Sequence, residues 1–283
     1  MSERSRGAQQ RTTRTVRRAR TRLALAALLT AAPAWAAPFE IAVSPSRFEL
    51  SGQSAGRIGQ SLDIINVGRT ATEVSVRTLD WLYTPEGAIT YVDELLPGSC
   101  RPWVTLERRT VRIAADGKAS FRFQLDVPAD AARGECRFML AIEGVEAAHN
   151  SVIQGGGASL SLPVSGRIAV AVYLAVNGAQ SRLALTQVGV RQVDGKRTPV
   201  VTVSNAGDAH GRLDGSLDAT DAKGLEFELI PEGTPIMPGQ TRTLPLSVRT
   251  VAPQKPPEPA YPIRSSGTLD WERGSFKVDA EFK

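Results

Sequence analysis

The sequence predicts an all-β protein: two Ig-like β-sandwich domains in tandem. Three observations carry this. Val and Thr are abundant while aromatics make up only 6% of the residues, and Gly and Pro punctuate the chain roughly every 8–12 residues. Segment after segment alternates apolar and polar residues with a period of two, and none carries a helical period. The alternation breaks once, at Val176-Asn177-Gly178, with a set of strands on either side.

The first 36 residues stand apart. Residues 1–22 hold eight arginines against one acid, Glu3; Leu23 to Ala32 is an apolar core, and Ala34-Trp35-Ala36 is a small-x-small cleavage site. This is the pattern of a secretory signal peptide cut after Ala36. The full chain carries a formal charge of +5, and residues 1–36 contribute eight Arg less one Glu, or +7, so the remainder is near −2. The basic character belongs to the leader and is no signal for nucleic acid. No later segment approaches the ~20 apolar residues of a membrane-spanning helix.

In the first domain, residues 37–178, Phe39 to Leu50 reads as an entry strand with Ile41 and Val43 alternating up to Pro45. Ser61 to Asn66 is ended by Val67-Gly68-Arg69, and Thr72 to Trp81 answers it with Val74, Val76 and Leu79. Pro85-Glu86-Gly87 turns the chain into a short strand, Ile89 to Val92. Arg109 to Ile113 and Ala119 to Val127 flank the turn Asp116-Gly117, the latter aligning Phe121, Phe123, Leu125 and Val127 on one face. Cys136 to Ile142 follows, and Gly144 to Gly157 is polar and glycine-rich, which predicts a mobile loop. About seven strands in roughly 138 residues fit a sandwich.

The next stretch is the most informative. Leu160, Leu162 and Val164 alternate with Ser159, Ser161 and Pro163, and Ile168, Val170, Val172, Leu174 and Val176 continue the period. Pro163 cannot donate to a central ladder, so the segment predicts a sheet edge. An edge with an apolar face aggregates unless covered. It is either capped by the protein itself or offered to a partner.

The second domain, residues 179–283, holds Leu183 to Val193, Pro199 to Ser204, Arg212 to Ala219, Leu225 to Ile230, Thr241 to Arg249, Ser266 to Glu272 and Ser275 to Phe282. Turns at Asn205-Ala206-Gly207, Pro231-Glu232-Gly233 and Pro238-Gly239 separate them, and Pro253 to Pro262, with five prolines, predicts a stiff loop.

Little in the sequence points to catalysis. The two histidines, His149 and His210, stand beside turn residues and read as solvated loop side chains. No metal-ligand spacing, nucleophile elbow or phosphate-cradling loop is present, and Gly155-Gly156-Gly157 lacks the Lys-Ser/Thr that would follow in a phosphate loop. The sequence therefore predicts no enzyme, no cofactor and no metal. Cys100 and Cys136, in an exported chain, predict a disulfide worth roughly 3–4 kcal/mol, with two free thiols as the alternative.

The order of these segments resembles the periplasmic pilus-assembly chaperones, the PapD-like two-domain Ig proteins. FEIAVSPSRFELSG resembles their first strand; SLDIINVGRTATEVSVRTLDW resembles the second and third, with the N-x-G turn and the Trp. RTVRIAADGKASFRFQLDVP and CRFMLAIEGV resemble later strands, and SLSLPVSGRIAVAVYL falls where the family's donor strand lies. The match covers most of residues 37–178; beyond that it extends only to an Ig-like domain following on.

The resemblance implies a periplasmic protein that caps a secreted pilus or fimbrial-type subunit by strand addition, Leu160, Leu162 and Val164 filling the subunit's groove. It leaves an outer-membrane usher as an open second partner. It also implies a client-terminus anchor, with Arg47 at the family's Arg position. The family's Lys position is Ala169, and Arg167, expected on the opposite face, is the neighbouring substitute. The alternative is a structural or adhesive Ig-like module in which the alternating strand is internal. A carbohydrate-binding module would need a row of exposed aromatics, and Trp81, Trp103 and Trp271 are scattered.

Overall fold

The computed structural model describes residues 39–83, 88–145, 149–155, 158–164, 166–249 and 258–283, with 149–155 and 158–164 described by backbone alone. The expected leader, the expected turn at Pro85-Glu86-Gly87 and most of the proline-rich segment lie outside these residues. All described residues belong to one compact unit, Pro38–Lys283.

Two sandwiches form, as the alternation predicts. The first contains β1 (Ile41–Ser44), β2 (Arg47–Gly52), β3 (Arg57–Asn66), β4 (Thr72–Tyr83), β5 (Ile89–Val92), β6 (Val104–Leu106), β7 (Thr110–Ile113), β8 (Lys118–Asp126), β9 (Gly134–Gly144) and β12 (Arg167–Val176). One sheet runs β1-β3-β8-β6 and the facing one β2-β12-β9-β4-β5, with β7 added to β4. Between β1 and β2, at Pro45, the chain leaves one sheet for the other.

The core lies between these sheets because each strand sends alternate residues inward. Leu62, Ile64, Phe121, Leu125, Phe138, Leu140, Ile142, Val170, Val172 and Leu174 are all fully buried there. Cys100 and Cys136 form the predicted disulfide, Cα atoms 5.4 Å apart, and tie the segment before β6 to β9. The 3₁₀ turn Arg101–Trp103 is the sole helical element among the described residues.

The second sandwich has the path β13 (Leu183–Val193), β14 (Lys196–Asn205), β17 (Thr241–Arg249), β16 (Glu226–Pro231), β15 (Asp214–Thr220), β18 (Ile263–Trp271) and β19 (Gly274–Phe282). β17 pairs β14 over Thr241–Pro245 and β16 over Leu246–Arg249, so it passes between the two layers. Val201, Val203, Leu217, Leu229, Leu244, Ile263, Leu269 and Phe282 fill its core. Each half therefore has its own core. A third cluster joins Leu79, Trp81, Met139, Ala141 and Tyr173, on the outer face of the first half, to Met237 of the second.

One expectation is corrected. The stretch from Gly144 to Gly157, predicted as a mobile loop, includes a strand, β10 (His149–Gly155), which pairs antiparallel with β11 (Ala158–Val164) from His149↔Val164 to Gly155↔Ala158. Gly156 and Gly157, which lie between the strands in sequence, are outside the described residues. The polar composition of β10 hid it, because its residues show no regular apolar alternation.

Candidate functional site: an open strand edge and an interdomain cleft

β12 is covered unevenly. On one side it pairs β9 along its whole length, Arg167↔Glu143 to Val176↔Gly134. On the other, β2 pairs it in parallel only from Ala171↔Arg47 to Val176↔Gly52. Among the described pairings, Arg167 to Val170 are therefore bonded on the β9 side alone, and β11 is bonded to β10 alone. Among the described pairings, β11 thus has one edge without a partner, and the edge of β12 from Arg167 to Val170 is unpaired up to where β2 begins, at Arg47.

Arg47 projects from the outer face of β2. It lines a cleft of about 230 Å³ together with Glu49, Glu135, Tyr173, His210, Arg212, Glu272 and Arg273. Its Nε donates to Glu49 Oε1 at 2.8 Å, and its side chain is half-exposed. Arg212 Nε donates to the same oxygen at 3.3 Å, while its Nη1 donates to Gly233 O at 2.7 Å and its Nη2 to Tyr173 Oη at 3.2 Å. His210 Nδ1 donates to Glu135 Oε2 at 2.6 Å, and the His210 backbone N–H donates to that oxygen at 3.0 Å. Nε2 of the same ring lies 3.6 Å from Glu49 Oε1, at ion-pair distance. The ring packs on Tyr173, centroids 4.1 Å apart.

These contacts set the charges. Glu49 is held at about 2, His210 being the strongest influence; burial opposes the shift, and Arg212 and Arg47 add to it. Burial pulls the His210 imidazole down, but Glu135 and then Glu49 outweigh it, leaving the pKa raised. Burial, with Tyr83 beside it, raises the Tyr173 phenol.

Two sequence expectations fail here. His210 is not a solvated loop side chain: it is 9% exposed, because Glu135 and Glu49 from the other half close over it. Arg167 does not stand opposite Ala169; residues two apart on a strand share a face. Nor does it approach Arg47. It lies four residues before Ala171, about 13 Å along the strand, and is held by Glu143 with its guanidinium 5.6 Å from the Tyr91 ring centre. Ala169 packs against the Trp81–Tyr173 cluster.

Sequence reasoning missed Glu49, Glu135, Tyr173 and Arg212. One local signal existed: on the face Ala169, Ala171, Tyr173, Ala175, the single large residue marks where something packs. The Glu135–His210 contact spans 75 residues and left no local trace. Among the described residues, no group of three or more His, Cys, Asp or Glu is arranged to hold a metal, and no helix is long and apolar enough to cross a membrane.

Two tandem sandwiches with a cleft at their junction define the class of fold. No protein-family model matches the chain, and no curated protein matches it. The solved structures it is similar to include fimbrial and pilus chaperones. The YadV chaperone is 12% identical over 86% of this chain and 99% of that one, with a TM-score of 0.45. The CsuC–CsuE chaperone–tip adhesion subunit pre-assembly complex of Acinetobacter baumannii gives 13%, 86%, 97% and 0.42. The SafA pilin–SafB chaperone complex of Salmonella enterica gives 12%, 87%, 98% and 0.44. At these scores the likeness is one of chain course, and the functional reading rests on the chain's own residues.

Proposed function

We propose that this chain is an exported, non-enzymatic chaperone that works in the periplasm after removal of residues 1–36. It caps a secreted pilus or fimbrial-type subunit by lending the edge of β11 and β12, with an outer-membrane usher as a further partner. The observation that carries this reading is the unpaired edge that stops at Arg47. β2 occupies the same edge further on and runs parallel to β12, its first residue opposite Ala171. A client strand entering the vacant part in the same direction ends at Arg47, which places its terminal carboxylate beside a guanidinium. Backbone bonds along the edge supply affinity, and Leu160, Leu162 and Val164 supply the alternating side chains for a client groove.

Arg47 is the anchor of choice over Arg167, which is engaged by Glu143 at the far end of the strand. A guanidinium fork binds carboxylate bidentately, so one arginine serves where the family's lysine position is Ala169. The second reading, a structural or adhesive module, draws on the β10–β11 pairing, which gives the alternating strand a partner within the chain. That pairing occupies one edge and leaves the other vacant.

The test is Arg47→Ala. Loss of a charged hydrogen bond should weaken binding of the co-purifying subunit by about 1.5–3 kcal/mol. Stability should change by no more than about 1 kcal/mol, because the Arg47–Glu49 pair is solvent-exposed. Unchanged binding would remove the anchor from the account.

A further inference from the structure

The cleft around Arg47 carries a balanced set of fixed charges. Its described lining holds three arginines (Arg47, Arg212, Arg273) and three glutamates (Glu49, Glu135, Glu272), with His210 among them. Among these lining residues, the proton on His210 decides whether the charges sum to zero or to +1.

The geometry of His210 gives that proton a specific place. Nδ1–H is taken by Glu135 Oε2, and Nε2 faces Glu49 Oε1. A neutral ring bonded to Glu135 turns the Nε2 lone pair toward a carboxylate oxygen; only the imidazolium offers a proton to both. Glu135 is 3% exposed, and its Oε1 is buried without a partner, so this carboxylate depends on the Oε2 contacts for compensation. Glu49 Oε1 is the shared atom. It lies near His210, Arg212 and Arg47 together, and whichever cations satisfy it determine how firmly it holds Arg47.

We propose that His210 is a positioning residue for the carboxylate anchor. As imidazolium it shares Glu49 with Arg212 and leaves the Arg47 fork to a client carboxylate; as the neutral ring it returns Arg47 to Glu49. This rests on the anchor reading above, and adds proton control to it. The groups that face it are Glu135 from β9, Glu49 from β2 and Tyr173 from β12, and the cleft around it adds Arg47 from β2, Arg212 from the ring's own segment, and Glu272 and Arg273 from the β18–β19 turn. Burial alone would discharge the ring, and the two carboxylates prevail over it.

Two measurements on the full mature chain test this. The first uses no client: the Nε–H resonance of Arg47 and the His210 ring carbon are followed by NMR from about pH 5.5 to about pH 9. Both should move together at a midpoint above the ordinary histidine value, Glu49→Gln should uncouple them, and His210→Gln should leave Arg47 flat. An Arg47 resonance indifferent to the His210 titration overturns the proposal. The second uses a synthetic peptide of alternating apolar residues with a free C-terminus, and its C-terminal amide. The free acid should lose about fivefold or more of its affinity as pH rises through that midpoint, with no such loss for the amide or in His210→Gln. A parental pH profile in His210→Gln also overturns it. If Arg47 tracks His210 but neither peptide binds at any pH, proton control of Arg47 stands and the client reading falls.

Discussion

At the scale of single residues, two asparagines do matching work in the two halves. Asn66 ends β3, and its Nδ2 donates to Thr70 O at 2.7 Å and Ala114 O at 2.9 Å, while its Oδ1 accepts from the Gly68 N–H at 2.9 Å. Asn205 ends β14, with Nδ2 donating to Ala209 O and Ile236 O at 2.8 Å each and Oδ1 accepting from Gly207 and Arg182. Both are 2% exposed. At Gly207 the glycine two residues on is required by backbone, whereas at Gly68 the nearest obstacle is the end of a side chain. A Cβ on Gly207 would meet Gln180 O at 2.3 Å, and one on Gly68 would meet Glu40 Oε2 at 2.4 Å. The N-x-G spacing was legible as a turn in both halves; that its asparagine is a buried knot was not, because one carbonyl it serves in each half, Ala114 O or Ile236 O, comes from a distant segment. Asn205→Ala takes the side-chain donor from the Ala209 carbonyl and the acceptor from the Gly207 and Arg182 N–H groups, while Ile236 O keeps the Gly211 N–H; each buried polar group left unpaired costs about 1–3 kcal/mol. Chemical denaturation should show a loss of about 2–4 kcal/mol, and a loss under about 1 kcal/mol would mean that other donors replace it.

Among the elements, β12 was the most legible, since Ile168, Val170, Val172, Leu174 and Val176 lie on the core side as their spacing predicts. Its opposite face, mostly alanine, carried less signal, yet that face receives Met237 of the second half. β10 was missed for want of an apolar period. Where β11 lies at the sheet edge was readable from Pro163, which stands opposite Asn150. Leu162→Glu separates the two uses of this strand. Under the capping reading the variant keeps the parent's thermal midpoint within a few degrees and loses subunit capture. If the strand instead served the chain's own core, the buried charge would destabilise it by several kcal/mol, and a melt beside a pull-down distinguishes the outcomes.

For the whole molecule, the junction between halves combines an apolar cluster with a charge cluster, and the latter makes stability depend on pH. His210 has a raised pKa, so its contribution is complete below its unfolded value of about 6.5 and fades as pH rises through the higher folded value. Glu49 sits at about 2, so its contribution is complete above the unfolded carboxylate value and is lost as pH falls. The cluster therefore stabilises most between about pH 4.5 and about pH 6.5. Calorimetry of parent and His210→Gln should show the two melting curves converging as pH rises above that window; a constant difference up to about pH 9 would contradict the assignment.

The central claim is that the edge of β11 and β12 receives a client strand whose end lies at Arg47. A photo-crosslinking amino acid at position 162 of the chain, in cells that make it natively, tests this most directly, with position 124 on the facing sheet as control. The expected result is an adduct at 162 alone, whose cross-linked peptide maps to the C-terminal strand of an exported β-rich subunit, and whose yield falls in Arg47→Ala. Equal adducts at 162 and 124, or an adduct at 162 joined to this chain's own residues, would contradict it.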